Sequence, residues 1–466
     1  PPGTGKTYLL AWMLLGLAAA AERAGRPCRV LVSAATHRAI VNVLARLARE
    51  LEAAGISVPL QIVKLRGSGN DADAELDGGV ARVLDDARLP GLLAGAEAGG
   101  ALVVGATVWS LWKQLRAARG PEAPGEVAPQ PWFDVVVIDE ASQMKVAEAL
   151  IAFAALRPGG SVILCGDDQQ LAPIVRGRYD DAADDPLMGS VFGYFAQYAP
   201  RRILRESRRM NAALVSYPRE LFYPRLVSMC PAQRVALDGA APDDPLDARL
   251  REAFLAPDDA AVLFTYGAGQ SLGMQRNAFE AALAARLARL ARAALLDPDT
   301  GQAFDAEGFV ARGLTILSPH RAQNSAILAE LQALGFAAGE LPVVDTVERL
   351  QGNEREVVIV SYAVADREFA EAEAEFLLNP NRFNVAITRA RSKLIVLLSD
   401  EVLRAVPQDP RVLGASLPLQ GYPAHCADAV RELELPAPGG GVVRGVCRYR
   451  RAARAHTSLA PGAGGA

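Results

Sequence analysis

The first seven residues, Pro1-Pro2-Gly3-Thr4-Gly5-Lys6-Thr7, carry all but the leading glycine of the phosphate-binding pattern G-x-x-x-x-G-K-S/T. Gly3 and Gly5 let the backbone bend so that the N–H groups around Thr4 point at phosphate oxygens. Lys6 brings a compact positive charge to the β- and γ-phosphates of a nucleoside triphosphate, and the Thr7 hydroxyl is a Mg2+ ligand in this pattern. The helix that follows offers its positive N-terminal end to the same anion. ATP and Mg2+ are therefore the expected cofactors. A plain glycine-rich turn ahead of an apolar helix is the competing reading, and the downstream motifs decide against it.

Two further runs set polar residues directly after apolar ones. Phe133-Asp134-Val135-Val136-Val137-Ile138 leads into Asp139-Glu140-Ala141-Ser142-Gln143. An apolar strand ending in carboxylates sets them at the C-terminal edge of a sheet, where α/β proteins bind ligands. Asp139 is the candidate Mg2+ partner, and Glu140 the candidate base that orients and activates a water. By itself the pair could be a solvated strand end or a helix cap. Ser161-Val162-Ile163-Leu164-Cys165 ends in the same manner in Gly166-Asp167-Asp168-Gln169-Gln170-Leu171-Ala172-Pro173. Gln170, a neutral amide, suits a sensor touching both the γ-phosphate and the attacking water; taken alone, the run could be only a turn.

Placing these residues takes a sheet. Short apolar runs read as buried parallel strands at 29–33, 101–105, 133–138 and 161–165, with a helix-period segment at 36–53. A second series lies at 261–266, 314–317, 357–361 and 394–399, with helical stretches at 279–296 and 321–334. Strands alternating with helices indicate an α/β fold. The expected domains are 1–200, with an insertion at about 67–130 where Gly, Ala, Asp and Pro dominate, and 201–405. Residues 406–466 form a C-terminal extension. Its end, rich in Gly and Pro from Pro436 and carrying Arg444, Arg448, Arg450, Arg451 and Arg454, could touch phosphates but reads better as a solvated, poorly ordered terminus.

The formal net charge of −4 gives the whole molecule no attraction for nucleic acid, so any such contact needs a local track. The five cysteines form no C-x-x-C pair, which gives no zinc or iron–sulfur framework and fits a reducing, cytoplasmic compartment. His425, Cys426 and Cys447 come nearest to a ligand cluster and read as isolated core or loop residues. The apolar run from Tyr8 to Ala21 is too short to span a bilayer and reads as a buried core helix, so no membrane partner is expected.

Taken in order, these runs resemble the motifs of superfamily 1 helicases, in the 5′-to-3′ branch that contains the nonsense-mediated mRNA decay helicase and senataxin. The Asp139–Gln143 run is specific to that branch. The resemblance continues through Leu204-Arg205-Glu206-Ser207-Arg208-Arg209-Met210-Asn211 and Leu317-Ser318-Pro319-His320-Arg321-Ala322-Gln323. It is strongest in Val344-Asp345-Thr346-Val347-Glu348-Arg349-Leu350-Gln351-Gly352-Asn353-Glu354. It closes with Asn381-Arg382-Phe383-Asn384-Val385-Ala386-Ile387-Thr388-Arg389-Ala390-Arg391. The matching blocks run from Pro1 to about Ser399.

That resemblance implies two tandem RecA-like P-loop domains, with parallel β-sheets flanked by helices, holding Mg-ATP between them. Arg209 and Arg389 match the two arginines that reach the γ-phosphate from the second domain. A guanidinium suits that task, because it offers a fixed fork of donors to the charge on the transferring oxygens. The implied catalytic set is therefore Lys6, Glu140, Gln170, Arg209 and Arg389. Gly352 and Glu354 match the position that contacts the nucleotide ribose. Thr36, His37, Thr107 and Thr346 match positions that hold a nucleic-acid backbone, so a narrow polar track can serve on an acidic protein.

The implied activity is ATP hydrolysis driving a helicase or translocase 5′-to-3′ on single-stranded or partly duplex DNA or RNA, as a monomeric motor core. The alternative from another class is a nucleic-acid-gated ATPase switch that remodels its partners without unwinding duplex. The chain departs from the family at Arg208, where a base-stacking tyrosine is usual, and at Ala172, where proline is common. The missing first glycine reads as a cut through a larger protein, with the adenine-reading glutamine and N-terminal domains upstream.

Overall fold

The structure, a computed structural model, describes residues 1–65, 81–84, 89–95, 100–118, 131–174, 187–239, 241–267, 273–349 and 354–453. The chain divides into two compact units: Gly5–Leu204, and Arg205–Ala466 together with Pro1–Thr4. The segment beyond 405 thus clusters with the second unit and does not stand apart.

The N-terminal unit runs α1 (Lys6–Ala24), β1 (Cys28–Ala34), α2 (His37–Ala53), β2 (Leu60–Leu65), β3 (Ala81–Leu84), α3 (Leu89–Ala94), β4 (Ala101–Gly105), α4 (Val108–Ala117), β5 (Phe133–Asp139), α5 (Val146–Phe153), β6 (Leu156–Leu164) and α6 (Val191–Phe195). Among the described residues its six strands are all parallel, in the order β3-β2-β4-β1-β5-β6. Parallel strands are covered on both faces, so they read as unbroken apolar runs. Val30–Val32, Val103, Val104 and Val136–Ile138 are accordingly no more than 1% exposed. Leu10 and Leu14 of α1 and Ile40, Leu44 and Leu47 of α2 cover one face; Leu111 and Leu115 of α4 and Val146 of α5 cover the other. Gly105 permits the close approach of α2, since a Cβ there would lie 2.6 Å from Leu44 Cδ1 and 2.7 Å from Ile40 Cγ2.

Three features differ from the sequence expectation. The sheet extends beyond four strands, because β2 carries Gln61 and Lys64 within a short apolar run and so hides its character; Lys64 is buried with Nζ donating to the Leu65 carbonyl at 3.2 Å. The stretch 67–130 is not all insertion, since α4 lies inside it and buries Val108, Leu111 and Leu115. Nor is α1 buried all round: Tyr8, Leu9, Trp12 and Met13 remain 37% to 43% exposed. A helix apolar on every side has no preferred face, and the sheet takes only the stripe Leu10-Leu14-Ala18-Ala21. No described helix is long and apolar enough to cross a membrane.

The C-terminal unit runs β7 (Glu206–Ser207), β8 (Val227–Ser228), β9 (Ala236–Leu237), β10 (Asp259–Tyr266), β11 (Leu295–Leu296), β12 (Leu314–Leu317), β13 (Val343–Asp345), β14 (Arg355–Ser361), β15 (Ala390–Ser399), β16 (Ala429–Pro436) and β17 (Val442–Arg451). Seven of these form one sheet in the order β13-β12-β14-β15-β10-β17-β16. The first five are parallel; β17 then runs antiparallel to β10, and β16 antiparallel to β17.

Residues 442–451 therefore form a ladder strand, which corrects the reading of that segment as a solvated terminus. Val443, Gly445, Cys447 and Tyr449 alternate into the core, with Gly445 beneath Phe264, where a Cβ would come within 2.4 Å of the ring. On the outer face Arg448 donates to Thr265 Oγ1 at 2.9 Å, and Arg450 pairs with Asp428 at 3.0 Å. Arg454 lies outside the described residues.

Candidate functional site

Gly3 (φ 68°) and Gly5 (φ 80°) both adopt left-handed backbone, which a side chain resists. The Thr4 hydroxyl between them donates to the Pro1 carbonyl at 2.8 Å. Gly5 is the N-cap of α1, so Lys6 and Thr7 occupy its first turn, where backbone N–H groups carry no side-chain cap.

β5 delivers Asp139 and Glu140 to the C-terminal edge of the sheet. The Asp139 carboxylate is buried and accepts the Glu140 N–H at 3.0 Å. Burial, and then the neighbouring Glu140 charge, push its pKa up to about 7, while Lys6 pulls the other way. Glu140 turns with a φ of 50°, unusual for a residue with a Cβ. Gln143 Nε2 donates to its carboxylate at 3.0 Å. The Ala141 N–H bonds the Cys165 carbonyl at 2.8 Å, tying this turn to the end of β6.

Just beyond β6, Asp167 is 3% exposed, lies 4.0 Å from Lys6 Nζ and accepts from Gln170 Nε2 at 2.7 Å. Asp167 was not singled out from sequence; its signal was an acidic residue directly following an apolar strand. Among the described residues no cluster of three or more His, Cys, Asp or Glu could hold a metal, so a cation at Asp139 would need oxygens from a bound triphosphate.

Thr36 and Thr107 follow β1 and β4 on this same edge, and both are helix N-caps. Thr36 Oγ1 accepts from Ala39 N–H at 3.2 Å, and Thr107 Oγ1 from Ser110 N–H at 3.3 Å. His37 opens α2.

In the C-terminal unit, Arg209 is 8% exposed. Its Nε donates to Glu354 Oε2 at 2.5 Å and its Nη1 to the Thr388 carbonyl at 2.9 Å. The other Glu354 oxygen accepts from Arg391 Nη1 at 2.9 Å, and Arg391 also pairs with Glu356 at 2.8 Å. Burial alone would raise the Glu354 pKa, but the charges of Arg209 and Arg391 outweigh it and hold the carboxyl below its ordinary value. Arg389, next to Thr388, is buried with Nε donating to the Val385 carbonyl at 3.0 Å.

Arg209, Glu354 and the Thr388–Arg389 turn thus meet, joined by Arg391 and Glu356, two residues sequence reasoning passed over. Thr346 stands elsewhere, after β13, with its N–H on Asp345 Oδ1 at 2.8 Å. Gly352 lies outside the described residues.

Residues 1–185 and 187–401 each match a family model described as an AAA domain, which marks a nucleotide-binding chain. DNA polymerase alpha-associated DNA helicase A of Saccharomyces cerevisiae is 26% identical over 285 residues, covering 58% of this chain and 39% of that protein. RNA helicase Mov10l1 of Mus musculus is 24% identical over 309 residues, covering 58% of this chain and 23% of that protein. ATP-dependent helicase NAM7 of Saccharomyces cerevisiae is 26% identical over 273 residues, covering 57% and 25% respectively. The chain thus spans between 23% and 39% of the length of these relatives. A solved arterivirus nonstructural protein 10 helicase in complex with DNA covers 85% of this chain and 58% of its own at 14% identity, with a TM-score of 0.38, a likeness too weak to add to the sequence matches. Ordered motifs across both AAA-domain matches, shared with relatives of this kind, mean that the chain belongs to the superfamily 1 helicases, in the branch of the nonsense-mediated mRNA decay helicase.

Proposed function

We propose that this chain is the ATP-hydrolysing motor core of a helicase or translocase that moves 5′-to-3′ on single-stranded or partly duplex nucleic acid. The observation that carries the reading is the gathering of Lys6, Asp139, Asp167 and Gln170 at one sheet edge, with Glu140 beside them. In this reading the Gly3–Thr7 turn binds the phosphates, Glu140 accepts the proton of the attacking water, and Gln170 orients that water.

Thr7 and Asp139 are hard oxygen donors that fit Mg2+, and the burial that penalises the Asp139 charge is a cost that a divalent cation would offset. When bound, the ion neutralises charge on the β- and γ-oxygens. In the same reading Arg209 and Arg389 donate to the γ-phosphate, where a guanidinium's fixed fork of donors meets the charge on the transferring oxygens. Thr36, His37, Thr107 and Thr346 hold the strand by its backbone, without reading sequence. Relatives named as a DNA helicase and as an RNA helicase keep both strands as candidate substrates. Five free thiols suit a cytoplasmic setting.

ATPase assays with and without single-stranded DNA or RNA test the reading. Lys6→Ala abolishes turnover; Glu140→Gln abolishes turnover and retains ATP binding. Hydrolysis by Glu140→Gln at the unmutated rate would remove the assigned base. Strand-stimulated hydrolysis without separation of a tailed duplex would favour a nucleic-acid-gated switch over a helicase.

A further inference from the structure

Arg209 is gripped on two of its three guanidinium nitrogens, Nε by Glu354 and Nη1 by the Thr388 carbonyl, and Nη2 stands outside both bonds. A long arginine side chain ordinarily samples many rotamers, and fixing it before a ligand arrives removes that entropic cost from the binding or reacting step. The Thr388 carbonyl is itself well anchored. Its residue closes the helix Pro380–Ile387, with Thr388 Oγ1 donating to the Asn384 carbonyl at 2.7 Å, and it directly precedes Arg389. The grip therefore sets Arg209 in register with the second arginine.

Glu354 is held in turn. Arg391 takes its second oxygen and continues to Glu356, which is 3% exposed and accepts from Ser392 Oγ at 2.6 Å. The row Arg209–Glu354–Arg391–Glu356 alternates in sign, so each half-dry charge has an opposite neighbour. Glu354, Glu356 and Arg391 sit at the adjoining starts of the paired strands β14 and β15, a rigid support, and Arg209 reaches them from just after β7.

We propose that Glu354 is a positioning residue that aims Arg209 at the transferring phosphoryl group, with Arg391 holding Glu354 in place. The inference rests on Arg209 being a γ-phosphate donor, as proposed above. It differs from the ribose contact implied for Glu354 in giving both carboxylate oxygens to guanidinium groups.

Steady-state ATP hydrolysis by Arg209→Ala, Glu354→Gln, Arg391→Met and the double variant Arg209→Ala/Glu354→Gln tests it. Glu354→Gln should lower kcat about 10-fold or more, the scale of a slightly misaimed catalytic group, with KM for ATP changing by less than about 2-fold. Arg391→Met should lower kcat in the same sense. The double variant should be no slower than Arg209→Ala alone, because the two act as one unit.

Arg209→Ala at the unmutated rate would sink the γ-phosphate reading itself. A slow Arg209→Ala with an unaffected Glu354→Gln, or with additive losses in the double variant, would sink only the aiming role. A Glu354→Gln whose KM rises at constant kcat, with the penalty absent for 3′-deoxy-ATP, would restore the ribose contact and overturn the proposal. Glu354→Asp keeps the charge but shortens the reach, so a kcat loss at unchanged ATP affinity supports aiming even if Glu354→Gln folds poorly; full activity opposes it.

Discussion

Glu280, in the helix Ala278–Ala294, is fully buried inside the C-terminal unit. Tyr266 Oη donates to its Oε1 at 2.6 Å, while Ser361 Oγ and the Ala363 N–H reach Oε2 at 2.6 Å and 2.9 Å. These donors do not offset burial, which pushes the carboxyl from 4.5 up to about 7. The folded protein therefore keeps a proton that the unfolded chain releases. Stability is fully present below pH 4.5 and is lost as pH rises through about 7. Between pH 5 and pH 8 the loss integrates to about 2–3 kcal/mol.

Glu280→Gln carries no charge at any pH, and its amide can donate to the Tyr266 oxygen while its carbonyl takes Ser361 and Ala363. The stability difference, variant minus unmutated, should shift by about 2–3 kcal/mol in the variant's favour between those pH values. Other titrating groups are common to both proteins and cancel. The readout has to follow the C-terminal unit: Trp12, Trp109, Trp112 and Trp132 all lie in Gly5–Leu204, so tryptophan fluorescence follows only the other unit. The Cys447 thiol, fully buried in the right core, serves instead. Urea unfolding at each pH, sampled by a brief methanethiosulfonate pulse and mass spectrometry of the Cys447 peptide, yields the curve. Parallel pH profiles would refute the argument, because Glu280 would then ionise where it stands.

Gly105→Ala forces a methyl against Leu44 and Ile40 and should destabilise the N-terminal unit by about 1–3 kcal/mol, read from tryptophan fluorescence in urea; an unchanged midpoint would mean that α2 yields freely. Asp167→Asn keeps a hydrogen-bonding group beside Gln170 but removes the charge facing Lys6, and should slow ATP turnover about 10-fold, on the scale of other groups that orient reacting ones. Turnover at the unmutated rate would make Asp167 a purely structural residue. Ending the chain after Cys426 removes β16 and β17, leaves one edge of β10 without its ladder partner and exposes the apolar side chains beneath Val443, Cys447 and Tyr449, costing about 5 kcal/mol. Limited proteolysis should then digest the C-terminal unit quickly; resistance equal to that of the full chain would return the tail to a dispensable role.

Buried parallel strands announce themselves locally, and 101–105 and 314–317 read from sequence at the bounds they have in the structure. Their residues must be apolar on both faces, so no partner has to be known to recognise them. The same runs show that Asp139, Glu140 and Gln170 follow strand ends, and the α/β class and the family follow from motif order. Partnerships between distant segments left no such mark. Asp167 meets Lys6, and Arg391 meets Glu354, only because register and helix packing bring separate strand ends together.

The C-terminal strands stayed hidden for a related reason. β17 alternates arginines with Val443, Cys447 and Tyr449, and a half-exposed edge ladder of that kind resembles a solvated tail until β10 is there to pair with it. The exposed stripe of α1 was equally undecided in sequence, since an all-apolar helix does not say which side the sheet will take. Local composition thus determined the strands and the residues at their ends. Tertiary structure alone decided which of those residues touch, because burial in a sheet is settled by neighbours a hundred residues away.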